Sequence, residues 1–254
     1  MHKRNLSVLI ILFSALTTTA LPQTVDEIIQ KHIEALGGAE KIQAIKTLKM
    51  TGTSTRGNRF EVKFVRYWKY PNLVRNESEI RGQIMVQAYD GESAWGIIPF
   101  RGDGKPQALQ GRRAQNFIRQ GDFSGPLVHV QEKGLQVEFK GIEEFEGTEV
   151  FKLKISGTDG RTFFTYLDTQ YYMEIKRVVK KPGPDGNEME ITTLFSDYKP
   201  VNGVMIAHAL ETLRGGFSGR RGRGGRGGGK NVTTIEKIEV NQEIDDGIFK
   251  MPGK

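Results

Sequence analysis

The chain has 254 residues, no cysteine and a formal net charge of +7. Without thiols there can be no disulfide, cysteine nucleophile, thiolate metal site or lipidated cysteine. Residues 1–20 carry two of the excess positive charges and residues 214–230 carry six, which leaves −1 for the remainder and excludes a uniformly basic, polyanion-binding fold.

Lys3 and Arg4 precede a mostly apolar run from Leu6 to Leu16, and Thr18-Thr19-Ala20 ends in a small residue, the pattern of an export signal over residues 1–20 cleaved near Ala20. An uncleaved membrane anchor is the alternative, but a run of 11 residues falls short of the roughly 20 needed to cross a bilayer as helix. A soluble exported chain is expected, and residues 21–254 show no linker, repeat or composition break that would divide one domain into two.

Thr24 and Glu27 have capping-box spacing. Val25, Ile28, Ile29, Ile33 and Leu36 then recur at helical spacing until Gly37-Gly38 supplies a left-handed stop. Ala39–Ile45 reads as a second, shorter helix. From Thr47 the period falls to two, predicting strands over 47–54, 59–69, 73–80, 83–89 and 92–98, then over 135–141, 149–156, 162–168, 173–180, 189–198, 204–213 and 232–240. Asp90-Gly91, Asp159-Gly160, Asp185-Gly186 and Asn202-Gly203 suit tight hairpin turns. About a dozen strands joined by short turns make a mainly β, α+β fold, an antiparallel meander that must curl to protect its edges and its apolar face.

Residues 101–133 interrupt the strands. A short helix over 112–120, with Ala114, Phe117 and Ile118 apolar, and Phe123, Pro126, Leu127 and Val128 beyond it suit a cover over an opening; a solvated loop is the alternative. The segment 214–230 holds 9 glycines in 17 residues and is expected to be disordered. It reads either as a tolerated hairpin insertion or as a cationic flap in which Arg214, Arg220, Arg221, Arg223 and Arg226 meet anionic lipid, lipopolysaccharide or nucleic acid. The export signal argues against nucleic acid. Gly222, Gly224 and Gly227 satisfy G-x-G-x-x-G literally, but no helix can grow from this segment to face a phosphate.

No catalytic constellation stands out. His2, His32, His129 and His208 form no zinc pattern, Ser124 in Gly121-Asp122-Phe123-Ser124-Gly125 misses the nucleophile elbow by one position, and Glu143-Glu144 and Asp245-Asp246 are adjacent pairs that a strand would split between faces. A non-enzymatic protein without cofactor or metal is expected. Alternation places Phe60, Val62 and Phe64 on one face, Leu135, Val137 and Phe139 on one, Phe151, Leu153 and Ile155 on one, and pairs Phe164 with Tyr166. The dry side of the sheet is therefore either filled by the helices or left with a pocket for an apolar ligand.

Lys69-Tyr70-Pro71-Asn72-Leu73-Val74-Arg75, Tyr89-Asp90-Gly91-Glu92-Ser93-Ala94-Trp95, Pro99-Phe100 and the closing Ile244-Asp245-Asp246-Gly247-Ile248-Phe249-Lys250-Met251-Pro252 resemble signatures of the periplasmic lipoprotein carriers LolA and LolB. Leu36-Gly37-Gly38-Ala39-Glu40-Lys41 and Tyr198-Lys199-Pro200-Val201-Asn202-Gly203-Val204 are similar to a broader outer-membrane lipoprotein-sorting set. The resemblance implies a half-open antiparallel β-barrel with helices on its concave face. It also implies a periplasmic monomer whose partners are lipid or lipoprotein acyl chains and the inner- or outer-membrane lipoprotein machinery. Phe60, Phe64, Tyr89, Trp95, Phe139, Phe151, Phe164 and Tyr166 are then the candidate ligand contacts, assigned by phase and resemblance. Tyr70, Phe117 and Ile118 are the candidate lid residues. Carriers of this family hold the lid shut with an arginine immediately before the motif's proline; here that place is Tyr70, with Lys69 and Arg66 the nearest cations that could substitute.

Overall fold

A computed structural model describes residues 24–56, 60–100, 104–182, 188–214 and 229–253. The export signal, the Asp185-Gly186 turn and Arg220, Arg221, Arg223 and Arg226 lie outside the described residues.

Helix α1, Val25–Ala35, starts on the expected cap: Glu27 N donates to Thr24 Oγ1 at 3.2 Å and Thr24 N to Glu27 Oε2 at 3.0 Å. Gly37 and Gly38, both at positive φ, turn the chain into α2, Ala39–Ala44. The strands follow: β1 (Thr47–Arg56), β2 (Phe60–Lys69), β3 (Leu73–Ile80), β4 (Gln83–Tyr89), β5 (Ala94–Ile97) and the two-residue β6 (Gln107–Ala108). After α3 (Gly111–Ile118) and a 3-10 turn at Arg119–Gly121 come β7 (Leu135–Phe145), β8 (Thr148–Gly157), β9 (Thr162–Asp168), β10 (Glu174–Pro182), β11 (Glu188–Val201), β12 (Val204–Arg214) and β13 (Lys230–Val240), then a 3-10 turn at Asp246–Phe249.

All thirteen strands form one sheet in the order β6-β5-β4-β3-β2-β1-β13-β12-β11-β10-β9-β8-β7. Two antiparallel meanders are thus joined where β13 pairs with both β1 and β12. The end strands β6 and β7 do not pair, so the barrel is half-open. They are consecutive in sequence, and the chain between them carries α3 from one edge to the other.

Two local features depart from the alternation pattern. Gly141, which looks like a strand end, is instead a bulge: the β7–β8 register shifts between Phe139 and Ile142, and the strand continues to Phe145. The Glu146-Gly147 and Arg81-Gly82 turns join Asn202-Gly203 in having both residues at positive φ, whereas at Asp90-Gly91 and Asp159-Gly160 only the glycine does.

One wing of the concave face is filled. Ile28 of α1 packs with Phe151, Leu153, Ile155 and Leu167 beneath Leu127, and full burial of such a side chain contributes about 1.5–3 kcal/mol. Beneath α2, Ile42 and Ile45 meet Leu48, Trp68, Val128 and Val204. On the opposite, outer face lies the C-terminal segment. Trp95 Nε1 donates to the Phe249 carbonyl at 2.7 Å, Arg75 to that of Ile248 at 2.6 Å, and Lys69 Nζ to that of Ile244 at 2.8 Å. Three residues from two motifs, 69–75 and 89–95, therefore serve one purpose, to pin a tail that follows some 150 residues later.

Candidate functional site

Between the filled wing and the α2 core the concave face holds a cavity of about 560 Å³, partly open to solvent, within the ~300–1,000 Å³ typical of small-molecule sites. Met50, Val62, Phe64, Phe195, Leu210 and Ile235 supply its apolar lining, and Leu36 just after α1, Ile42 of α2 and the 122–127 coil roof it. Simple alternation brings Val62 and Phe64 inward on β2. On β13 a register shift opposite Thr51 and Gly52 adds one residue, so Ile235 lines the hollow while Ile238, three positions on, packs against the α2 core. On β11 Phe195 and Tyr198 both line the cavity, on either side of Asp197 at φ +54, while the β11–β12 register stays constant.

Of the eight aromatic residues named from the sequence, Phe64 lines the hollow. Phe60 is on the same face at the sheet's outer end, 58 % exposed, with the Arg81 guanidinium 5.9 Å from its ring. Tyr89 points inward into a plug with Val74, Ala94 and Phe117, against which Ile118 also packs. Phe139 and Phe151 face inward in the filled wing, where Phe151 stacks on Tyr172 at 5.6 Å. The inward placement of Trp95, Phe164 and Tyr166 is corrected. Trp95 packs on Val86, Ala88 and Met251 on the outer face. Strand β9 is apolar on both sides; Phe163 and Leu167 take the inward phase, leaving Phe164 and Tyr166 outside beneath Lys152 at 5.2 and 5.7 Å. Arg214 ends β12 on the surface.

The segment between the edge strands is tied down on both sides of the opening. The Trp68 indole N–H donates to the Gly121 carbonyl, and its ring meets Phe123 at 4.6 Å. Asn76 Nδ2 donates to Gln120 Oε1 at 3.0 Å, and Arg119 reaches Asp159 in the β8–β9 turn at 2.7 Å. Tyr70, 60 % exposed under Lys46, takes no part, and Lys69 points to the outer face. Sequence reasoning missed Trp68 because it looked for a cation; the usable signal was its inward phase on β2 with Phe64.

A polar network stands at the boundary of hollow and filled wing. Glu174 accepts from Arg177 Nε and a terminal nitrogen at 2.8 and 2.6 Å and from the Thr165 hydroxyl, while Tyr198 OH donates to the Glu174 carbonyl at 2.7 Å. Burial, reinforced by Glu174, pushes the Tyr198 phenol up. His32 Nδ1 lies 2.7 Å from the Tyr172 carbonyl oxygen, which can only accept, so Nδ1 carries the proton. Burial is the main cause that holds the imidazole below its ordinary pKa, against the opposing pull of that carbonyl and Glu174. Below about pH 6.5 the unfolded chain then binds more protons than the folded one. Stability is expected to be full above that pH and to fall as pH drops through it, by at most about 1.4 kcal/mol per pH unit for one proton. Urea unfolding at pH 7 and pH 5 checks this, with His32→Gln flattening the difference.

The polar groups beside the hollow are held by their neighbours. Ser124 and Lys133 approach to 2.9 Å, but Lys133 Nζ also donates to Asp122 at 2.9 Å and to the Gly125 carbonyl at 2.6 Å, so its three N–H bonds are committed. Although burial lowers its pKa, the Asp122 carboxylate favours the ammonium form, which cannot take a proton from the serine. His208 is buried with Nδ1 on the Ile206 carbonyl, and His129 sits at the surface by Gln43 and Glu132. Among the described residues no three His, Asp or Glu side chains cluster to hold a metal. No helix of the described residues is long and apolar enough to cross a membrane.

The chain forms a curved, half-open antiparallel sheet with a partly apolar hollow beneath its helices. No protein-family model matches the chain, and no curated protein matches its sequence. Solved structures do match its fold. A LolA superfamily protein from Nitrosomonas europaea superposes with a TM-score of 0.57 at 13 % identity, covering 90 % of this chain and 98 % of the other. A DUF1329 family protein from Desulfovibrio piger gives 0.59 at 11 %, covering 89 % and 97 %. An outer-membrane lipoprotein-sorting domain from Vibrio parahaemolyticus gives 0.57 at 13 %, covering 88 % and 94 %. The shared property is the LolA-type fold over most of the chain.

Proposed function

We propose that the protein is an exported, non-catalytic carrier that works in the periplasm and shelters acyl chains of lipids or lipoproteins in the hollow. The partly open cavity of about 560 Å³ on the concave face carries this reading, and the fold shared with a lipoprotein-sorting domain supports it. Burying a 16-carbon tail at about 0.8 kcal/mol per methylene gives a gross gain near 12 kcal/mol, enough for carriage after ordering costs. The segment bridging the edge strands, tied by Trp68 and Arg119, would be the cover that opens for loading.

Protein purified from membranes should carry lipid visible by native mass spectrometry, and the stripped protein should take up a fluorescent fatty acid. If neither is seen, the carrier reading is lost. The arginine-rich segment supports a second role, docking on an anionic surface: β12 and β13 hold its ends, Arg214 N bonding the Gly229 carbonyl at 3.4 Å, at the same end of the sheet as the exposed Phe60–Arg81 pair. Deleting residues 215–228 should then remove salt-sensitive binding to anionic vesicles and leave fatty-acid uptake intact; unchanged vesicle binding refutes the docking role alone.

A further inference from the structure

Two arginines line the hollow, and they are not equivalent. Arg177 is neutralised by Glu174 through two nitrogens at 2.8 and 2.6 Å. Arg66, on the inward phase of β2, bonds only the neutral Asn76, Nε to Oδ1 at 2.9 Å. Three acids line the cavity, Glu77, Asp122 and Glu174, and each is held by another cation: Arg75 at 2.7 Å, Lys133 at 2.8 Å and Arg177 at 2.6 Å. No carboxylate of the described residues stands against Arg66, and burial alone acts on its guanidinium, pulling it below the ordinary value.

A cation without an ion partner on the wall of a half-open, partly apolar hollow favours a ligand that supplies the counter-charge as it displaces water. The surroundings make Arg66 a fixed receptor. The register sets Met50 on one side of it and Asn76 on the other, with Gln87 beyond, so a polar row crosses β2, β3 and β4. Asn76 is itself steadied by its bond to Gln120 of the crossing segment. With Nε occupied, the two terminal nitrogens of the planar fork remain to meet an oxyanion in bidentate fashion. The apolar wall begins at once with Met50 and Phe64.

We infer that Arg66 is the head-group receptor of the hollow, and that the ligand is a single-chain amphiphile ending in an oxyanion, a carboxylate or phosphate, whose hydrocarbon lies against the wall that starts at Phe64. This rests on the acyl-carrier reading and narrows it to anionic ligands. Arg66 is a binding residue that the search for aromatic contacts passes over, because its signal is a missing ion pair.

The test uses the stripped mature chain with hexadecanoate, hexadecyl phosphate and hexadecanol, which share a chain length and differ in head. The wild type should bind both anions roughly thirtyfold more tightly than the alcohol, the scale of a charge-assisted hydrogen bond. Arg66→Met should erase that preference and hold the alcohol within about threefold of wild type, because the chain contacts remain. Preference for one anion over the other identifies which head the site takes. Equal binding of all three by the wild type overturns the inference and leaves the carrier reading standing, as does a preference that survives Arg66→Met. Binding of none overturns both. Inorganic phosphate that competes as well as hexadecyl phosphate overturns the inference, since the chain would then contribute nothing. Should Arg66→Met not fold, Arg66→Gln serves in its place, and the wild-type comparison of heads stands on its own.

Discussion

Ser78→Trp is expected to weaken uptake of a 16-carbon chain about a thousandfold while the protein stays folded. Ser78 lies on the cavity wall, with Phe64 opposite on β2 and Met85 opposite on β4. An indole there would project into void rather than into packed core, so it displaces ligand instead of straining neighbours. Each methylene excluded forfeits about 0.8 kcal/mol, and losing room for five removes about 4 kcal/mol, or nearly three decades of affinity. Titration with a fluorescent fatty acid reads the loss, and circular dichroism with urea unfolding reads the fold. An unchanged isotherm with an intact fold would place the ligand elsewhere.

Gly37→Ala should lower stability by about 4 kcal/mol, the largest effect expected of a single added methyl. Gly37 sits at φ +113, a conformation that costs an L residue about 1–3 kcal/mol. A Cβ there would also come under 3.0 Å from the carbonyl oxygen of Gly203 in the β11–β12 turn, and that overlap with backbone adds about 1–3 kcal/mol. The contact is fastened beside it by Met205 N donating to the Leu36 carbonyl at 2.9 Å. Gly38, at φ +95 but with nothing within 4 Å of its missing Cβ, is the internal control. Gly38→Ala should cost only the conformational part, and the difference between the two urea midpoints isolates the close approach. Equal losses would mean that the Gly37–Gly203 contact has no energetic weight.

That contact joins two motifs, 36–41 and 198–204, that the sequence offers only as separate resemblances. Much else was legible from local pattern. The Thr24–Glu27 cap, the strand alternation on β2 and β8 and the Asn202-Gly203 turn all depend on residues a few positions apart, and each appears in the structure. The half-open barrel itself came through resemblance. Local pattern failed where the decision is long-range. On β9 both phases are apolar, so nothing nearby tells Phe163 from Phe164; α1 and β8 decide by packing on one of them. Trp95 follows its strand's alternation, but the tail that covers it begins some 150 residues later.

Periodicity along the chain by itself determined most of the strands, several of their turns and the inward phase of β2 and β8. Only the tertiary structure decided that β13 enters between β1 and β12, that Trp68 fastens the segment across the opening, and that no carboxylate of the described residues pairs with Arg66 on the wall of the hollow. The physical reason is one of range: backbone preference and alternation act over a few residues, whereas a cavity and an unpaired charge are defined by what many distant segments leave unfilled.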